Sequence, residues 1–274
     1  MPPRVLTPSD YTPPVAAGPI PSPPLLDDIR GEALRVARAA VDAALPIRLM
    51  GGLAVWALAP SVRTGPYARD YRDMDFAAAS RAGRREVGAF FERVGYVPEK
   101  LFNALHGAQR LNFAAPDGRW TIDVVFDELN MSHRVDLRDR LALPGPTLDP
   151  ADLLLTKLQV WEINRKDLGD IACLLADLPL GQGPGGEAID ARRVASVTST
   201  DWGICHTVER NLDRVRAQWK AEPVAGTRFD AAAQAAALEL AIRDAPKSLA
   251  WRARARVGER VRWYEIPEEV RHQA

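Results

Sequence analysis

Strand-like patterns occupy only the first half of this 274-residue chain, and their distribution is the strongest constraint on its fold. Helical periodicity begins near residue 29, and four short apolar or alternating runs interrupt it, at residues 47–50, 73–77, 109–114 and 120–126. After residue 127 only helical periodicity follows. The pattern predicts an α+β protein, in which a small mixed sheet is followed by an all-helical C-terminal region.

Prolines and helix-start residues indicate how the chain is divided. Nine of the first 24 residues are prolines, which remove backbone donors and exclude both helices and central strands. We therefore expect a disordered, proline-rich tail over residues 1–26 and a mixed α/β core over residues 27–145. An Asp-Pro pair typical of a helix start opens the helical C-terminal domain that we expect over residues 146–274.

The composition excludes several classes of protein. Basic and acidic residues number 36 each, so the chain has no net charge, which argues against wholesale nucleic-acid binding. Two cysteines and four histidines are too few for a disulfide framework or a dedicated zinc enzyme. The sequence shows neither the roughly 18–20 apolar residues of a membrane span nor a signal peptide, so we expect a soluble, cytoplasmic protein.

Three short motifs lie in order along the strand-rich half. Gly51-Gly52 lies at a strand-to-helix junction, Asp73-x-Asp75 lies on the next strand, and Asp123 lies on a later strand. Residues i and i+2 of a strand project to the same face, so Asp73 and Asp75 are expected to point together. If the two strands are neighbours, Asp123 joins them and three carboxylates converge.

Converging carboxylates predict a cation site. Three carboxylates repel one another unless a cation neutralises them. Mg²⁺ (or Mn²⁺) prefers oxygen ligands and is usually held by one or two carboxylates together with substrate phosphates. Two such ions clamp the attacking and leaving oxygens of a phosphoryl displacement. A glycine pair nearby lets backbone amides approach a triphosphate closely.

The ordered set of motifs resembles the DNA polymerase beta-like nucleotidyltransferase superfamily, whose members share a small α/β core. The residues that carry this resemblance are 50–55, 72–76 and 122–124. Residues 153–158 and 165–170 are similar to the helical segment of abortive-infection-type nucleotidyltransferase toxins. The order of the motifs also resembles the lincosamide and aminoglycoside nucleotidyltransferases.

The resemblance implies a site as well as a fold. It implies that Asp73, Asp75 and Asp123 are catalytic metal ligands, and that Lys157 is a catalytic residue that contacts the triphosphate. Either Asp167 or Asp170 is implied as a late acidic residue. The residues expected to bind the nucleotide are Gly51, Gly52, Arg72, Lys157 and Asp170.

Simpler interpretations remain open for several of these residues. Lys157 lies within the apolar stripe of its helix, where a snorkelling side chain is the alternative. Asp170 can form a helix-surface pair with Lys166, one turn earlier. The long stretch between Gly52 and Asp73 either reaches over the nucleotide or is a surface excursion. Asp127 and Glu128 are alternatives to Asp123.

The expected reaction transfers an NMP group from an NTP to a hydroxyl of an acceptor and releases pyrophosphate. Neutral charge favours a small-molecule acceptor. An arginine stripe on the last long helix, formed by Arg252, Arg256 and Arg260, favours an RNA such as tRNA, unless it is a solvated face. A hypothesis of another class is a non-catalytic nucleotide-binding or protein-interaction module on the same scaffold. His133 follows the strand of Asp123, so it either lies near the site or makes a structural hydrogen bond, and the hydrogen bond is the favoured interpretation.

Overall fold

The computed structural model describes residues 24–184 and 187–266. The proline-rich tail predicted over residues 1–26 therefore lies almost wholly outside the described residues. Within the described ranges the chain forms ten α-helices and nine β-strands, together with short 3-10 turns. The helices are α1 (Ile29–Asp42), α2 (Gly51–Leu58), α3 (Arg84–Arg93), α4 (Lys100–His106), α5 (Pro150–Leu158), α6 (Arg165–Asp177), α7 (Ala191–Thr200), α8 (Trp202–Ala221), α9 (Ala231–Asp244) and α10 (Leu249–Val257). The strands are β1 (Ile47–Met50), β2 (Asp73–Ala78), β3 (Val97–Pro98), β4 (Arg110–Ala114), β5 (Thr121–Phe126), β6 (Glu128–Asn130), β7 (Arg134–Asp136), β8 (Leu180–Gly181) and β9 (Ile189–Asp190).

Five strands form one mixed sheet in the order β1-β2-β5-β4-β3. β1 is antiparallel to β2, and β4 is antiparallel to both β5 and β3. The two strands that carry the predicted aspartates, β2 and β5, are parallel neighbours. The tight β4–β5 connection contains Gly118 at φ +71°, a left-handed conformation that suits glycine in a hairpin turn.

One face of this sheet packs into the core. Phe76 of β2, Phe91 of α3 and Phe113 of β4 are all fully buried or nearly so. The ring centroid of Phe91 lies 5.4 Å from that of Phe76 and 4.9 Å from that of Phe113, within the range of favourable aromatic pairs. Because side chains alternate along a strand, the aspartates of β2 and β5 project to the opposite face.

Helix α4 closes the edge of the sheet beyond β3. The side-chain amide of Asn103 donates to the carbonyl of Asn112 at 3.0 Å. Its side-chain oxygen accepts from the backbone N–H of Asn112 at 2.7 Å. Asn103 therefore bonds both backbone groups of a β4 residue, as a further strand would, and the ladder ends there.

The remaining helices continue the same buried core. The carboxylate of Asp149 accepts from the N–H of Ala151 and starts α5, as the sequence predicts. At the predicted domain boundary, Leu49 of β1 donates to the carbonyl of Pro146, and Leu148 donates to the carbonyl of Leu49, both at 2.9 Å. The buried apolar residues form one cluster that runs from the sheet into the helical region. The α+β fold class, with a mixed sheet followed by helices, is confirmed.

Some elements differ from the predictions. The prediction that strands end at residue 127 is wrong, because β6 pairs with β7 and β8 pairs with β9. Those strands are only two or three residues long, too short to show alternation. Helix α4 has no buried residue and therefore shows no apolar stripe. Helix α7 buries Val194 and Ala195 together with Thr198 and Ser199, so half of its buried face is polar. The last long helix, on which the sequence places Arg260, ends at Val257.

Along the described part of the chain, no helix combines the length and the apolar character needed to cross a membrane.

Candidate active site

The parallel pairing of β2 and β5 brings the three predicted aspartates to one face of the sheet. The register sets Asp75 directly opposite Asp123. Asp73, two residues before Asp75, projects to the same face. Asp73 is exposed, whereas Asp75 and Asp123 are half-buried. The condition on which the predicted convergence depends, that the two strands be neighbours, is met.

Asp75 lies in the most unfavourable electrostatic environment of the three. Burial, followed by the negative charges of Asp73 and Asp123, raises the pKa of Asp75 to about 7. The positive charges of Lys157 and Arg110 oppose this rise without cancelling it. The carboxylate of Asp75 therefore lacks a full countercharge within the described protein, and a bound cation would relieve that deficit.

The glycine pair packs tightly against this carboxylate. Gly51 begins α2 with φ +67°, directly after Met50, which pairs with Asp75 across β1 and β2. A Cβ atom on Gly51 would collide with the carboxylate of Asp75. A Cβ on Gly52 would lie 2.7 Å from Nη2 of Arg69 and 2.8 Å from Cε1 of Tyr71. Both glycines thus have a steric reason to be glycine in this fold, separate from phosphate binding.

Lys157 is held by two carboxylates. Its Nζ lies 2.7 Å from Oδ1 of Asp167 and 2.9 Å from Oδ2 of Asp170. Only 13% of its side chain is exposed, so the amine does not snorkel to solvent. Burial alone would lower the pKa of Lys157, but the charges of Asp170 and Asp167 outweigh burial and hold the pKa above its usual value. Lys157 is therefore a cation in the resting protein.

Asp170 joins the α2–β2 connection to the helical region. Its side chain is fully buried, and its two oxygens accept from Nη1 and Nη2 of Arg69 at 2.6 and 2.8 Å. This is the bidentate geometry in which arginine binds carboxylates most strongly. Lys157 is the second partner of Asp170. The alternative interpretation, a helix-surface pair between Asp170 and Lys166, does not apply, because Asp170 is buried and Lys166 is exposed.

The long stretch between Gly52 and Asp73 is not a surface excursion. Tyr67 is buried, its hydroxyl donates to the carbonyl of Glu222 at 2.9 Å, and its ring stacks on Trp219 with centroids 6.5 Å apart. Tyr67 and Trp219 are therefore structural residues, and the stretch is anchored to the helical region.

The ring of Tyr71 packs against Gly52 but has no free face to offer a ligand. The guanidinium groups of Arg69 and Arg30 lie 4.9 and 5.6 Å from its ring centroid. Its hydroxyl is buried, and no described residue gives it a hydrogen bond. Arg72, which follows it, is exposed just before Asp73.

Arg110 is a site residue that the sequence motifs did not predict. Its Nε lies 2.6 and 2.7 Å from the two carboxylate oxygens of Asp123, and its Nη2 contacts the same carboxylate. The β4–β5 register sets Asn112 opposite Asp123, so Arg110 is the diagonal neighbour on the same face. The position of the hairpin turn fixes which residues of β4 and β5 face each other, so the sequence alone could have predicted the pairing of Arg110 with Asp123.

Two weaker candidates are resolved by their surroundings. Nε2 of His133 lies 2.8 Å from Oγ1 of Thr207, so the predicted structural hydrogen bond is confirmed. Burial lowers the pKa of His133 to about 4.

The arginine stripe is interrupted. Arg252 and Arg256 are exposed on α10, but Arg260 follows Gly258, which turns the chain at φ +58°. The three arginines therefore do not form one continuous stripe on a helix.

The carboxylates of the site suit a cation only if substrate phosphates supply further ligands. Among residues 24–184 and 187–266, no group of three or more His, Cys, Asp or Glu side chains is arranged to hold a metal ion by itself. Arg110 forms an ion pair with Asp123. Asp73 and Asp75 are therefore the carboxylates that a cation would neutralise. Two carboxylates completed by substrate phosphates are a usual arrangement for Mg²⁺, and the donors present suit that arrangement.

No protein-family model matches the chain, and a search of curated proteins finds no matching sequence.

Proposed function

We propose that the protein is a Mg²⁺-dependent (or Mn²⁺-dependent) nucleotidyltransferase that moves an NMP group from an NTP to an acceptor hydroxyl and releases pyrophosphate. The β2–β5 register carries this proposal, because it sets Asp75 opposite Asp123 beside the Gly51 junction. The raised pKa of Asp75 supports it, since the cluster needs a further cation. A cytoplasmic location, where NTPs and Mg²⁺ are abundant, belongs to the same proposal.

Each residue has a role that its position allows. Asp73 and Asp75 would hold the metal, which would supply charge neutralisation for the phosphates when bound. Asp123 would complete the carboxylate set, and Arg110 fixes its orientation. Lys157 keeps a positive charge close enough to lower the pKa of Asp75, and Arg72 offers an exposed cation at the start of β2. Gly51 and Gly52 leave the junction free of side chains, and Asp170 positions Lys157.

The test is incubation of the purified protein with each α-³²P-labelled NTP, Mg²⁺ or Mn²⁺, and bulk tRNA. The proposal expects label transfer by the wild type and at least a hundredfold loss in the Asp73→Asn/Asp75→Asn variant. Asp70→Asn is the matched control, because the Asp70 side chain is fully exposed and lies only three residues before Asp73. The control is expected to retain wild-type transfer.

The outcomes separate the acceptor classes. Label on tRNA points to an RNA-modifying or toxin-like role. Metal-dependent NTP binding without RNA label moves the proposal to a small-molecule acceptor, such as that of a resistance enzyme. Absence of both NTP binding and label transfer contradicts the proposal that the protein is a nucleotidyltransferase.

A second candidate is a non-catalytic nucleotide-binding or protein-interaction module. The observation that favours it is the internal pairing of the site: Lys157 with Asp167 and Asp170, and Asp123 with Arg110. Such a module gains stability when Asp73 and Asp75 are both replaced by Asn, because two unfavourable carboxylates disappear. An enzyme shows the same gain without metal but loses metal-dependent nucleotide binding.

A further inference from the structure

A small cleft lies between the end of α1 and the loop that leads to α5. Its volume is about 380 Å³, near the lower end of the range for pockets that hold small molecules. Its apolar walls include Leu45 and Pro46 after α1, and Leu141 and Pro144 of the loop. Both charged side chains that line it are arginines, Arg48 of β1 and Arg81 of the turn after β2. We term it the arginine cleft, and these residues are separate from the candidate active site.

Arg48 is the buried cation of the arginine cleft. Only 8% of the residue is exposed, and its guanidinium makes four hydrogen bonds, one each to the carbonyls of Leu45 and Ile47 and two to that of Leu143. A guanidinium has five N–H groups, so one of those on Nη2 is left without a described acceptor. Carbonyl oxygens satisfy N–H donors but carry no net negative charge. The charge of Arg48 is therefore buried without a carboxylate from the part of the chain that the structure describes, an arrangement that is unfavourable by itself.

Other arginines that reach into the protein show what the position of Arg48 lacks. The pairs are Arg35–Glu32, Arg69–Asp170 and Arg140–Asp152, and in each of them the carboxylate is fully buried. Although burial opposes it, the hydrogen bonds and charge of the carboxylate raise the pKa of each of these arginines. Burial instead lowers the pKa of Arg48. An anion in the arginine cleft would take the place that a buried carboxylate has in the other pairs.

We propose that the arginine cleft binds a small carboxylate with an apolar body. The ligand's oxygens would accept from Arg48 and from Arg81, whose exposed guanidinium has no partner among the described residues. Guanidinium groups match the paired oxygens of a carboxylate. The apolar walls favour a hydrocarbon or aromatic body over a free phosphate, which would lose its hydration there. This proposal does not depend on the proposed function.

The test titrates the full-length protein into 4-fluorophenylacetate and follows the ligand by ¹⁹F NMR. Saturable binding with a dissociation constant of roughly 1 mM is expected for so small a ligand. The neutral compound 4-fluorophenylacetamide has nearly the same shape, and it is expected to bind at least about tenfold more weakly because it lacks the charge. Equal binding of the two compounds, or no saturable binding of the acid, overturns the proposal.

Two arginine variants show whether the ligand lies in the arginine cleft. Arg81→Gln removes an exposed charge of the cleft without disturbing the core, and it is expected to weaken binding of 4-fluorophenylacetate about fivefold or more. Arg85→Gln is the matched control, because Arg85 is exposed on α3 and does not line the cleft. The control is expected to bind the ligand as the wild type does. Unchanged binding by Arg81→Gln, or an equal loss in both variants, overturns the proposal.

Discussion

Asp170 is the residue on which two cations of the candidate site depend. It is fully buried and accepts from Arg69 in bidentate geometry, and its second oxygen also lies 2.9 Å from Nζ of Lys157. Removing one member of a buried ion network leaves the others without compensation, which costs more than an exposed pair ever contributes. At the scale of single residues, the two cations Arg69 and Lys157 are therefore held in place by a carboxylate of α6.

Replacement of Asp170 by Asn is expected to lower the free energy of unfolding by about 2–4 kcal/mol, since Arg69 and Lys157 lose a shared buried countercharge. Urea unfolding followed by circular dichroism measures the change. Lys166→Gln, on the exposed face of the same helix, is the control and is expected to stay within about 0.5 kcal/mol of wild type. Equal stability of the two variants would contradict the buried network.

His133 gives the protein a pH dependence of known sign. Burial lowers its pKa to about 4 in the folded state, below the ordinary value of about 6.5. Between these values the unfolded chain binds the extra proton, so the contribution of His133 to stability is complete above about pH 6.5 and is lost as pH falls toward 4. The expected loss by pH 4 is about 3 kcal/mol, because each pH unit between the two pKa values contributes roughly 1.4 kcal/mol.

The measurement is urea unfolding at pH 7.0 and pH 4.5 for wild type and His133→Gln. Subtracting the two pH dependences removes the carboxylates that titrate in the same window. The wild type is expected to lose more stability than the variant on acidification. If the two lose the same amount, His133 is not protonated on unfolding.

At the scale of elements, the longer strands and amphipathic helices were predictable, and the reasons are local. β5 alternates apolar and polar residues, and α3 and α8 carry apolar stripes at helical spacing. The elements that sequence reasoning missed have no such pattern, because β6 to β9 are too short and α4 packs no side chain into the core. Their positions follow from tertiary contacts with β4, β5 and α5, which periodicity does not record.

The β1–α2 junction is the element boundary with the strictest steric requirement. Gly51 has φ +67°, and a Cβ there would meet the carboxylate of Asp75. Gly83, at the start of α3, has φ +84°, but a Cβ there would have no described heavy atom within 4 Å beyond its chain neighbours. Both Ala variants incur left-handed strain, so their difference isolates the collision with Asp75.

Gly51→Ala is therefore expected to destabilise the protein by at least about 2 kcal/mol more than Gly83→Ala. Thermal unfolding at pH 7 checks this. Equal midpoints for the two variants would mean that Asp75 moves aside without cost, and that the junction is less tightly packed than the structure indicates.

At the scale of the whole molecule, the C-terminal segment ties the helical region together. The ring of Trp263 lies 4.8, 5.7 and 5.1 Å from those of Trp161, Trp202 and His206 in edge-to-face arrangements. The backbone N–H of Glu265 donates to the carbonyl of Ser132, which also fixes this segment beside the end of β6. These contacts join residues far apart in sequence, so no motif could have predicted them.

Trp263→Ala is expected to cost about 2 kcal/mol of unfolding free energy, because the half-buried ring loses its edge-to-face contacts with three aromatic rings. Calorimetry of the full chain measures it, and Val261→Ala is the control, since Val261 is 59% exposed. Because the described core is continuous, a single unfolding transition is expected for both variants. A separate early transition in Trp263→Ala would show that the C-terminal helices unfold on their own.

Part of the site was predictable from the sequence because it depends on strand alternation, as the sheet itself does. The aspartates of β2 and β5 follow from strand alternation and needed only the strands to be neighbours. The partners of Lys157 come from α6, and the partner of Asp170 comes from the α2–β2 connection. Spacing along the chain carries no information about such pairs, so they emerged only from the three-dimensional arrangement.

The side chain of Asn103 has a consequence for the behaviour of the protein in concentrated solution. It accepts from the N–H of Asn112 and donates to the carbonyl of Asn112, which also accepts from the N–H of Glu99 at 2.9 Å. A chain that loses this amide would present a hydrogen-bonding strand edge directly beside two exposed leucines of α4, Leu101 and Leu105, which together favour strand addition between molecules. We therefore expect replacement of Asn103 by Ala to increase aggregation of the folded protein at high concentration.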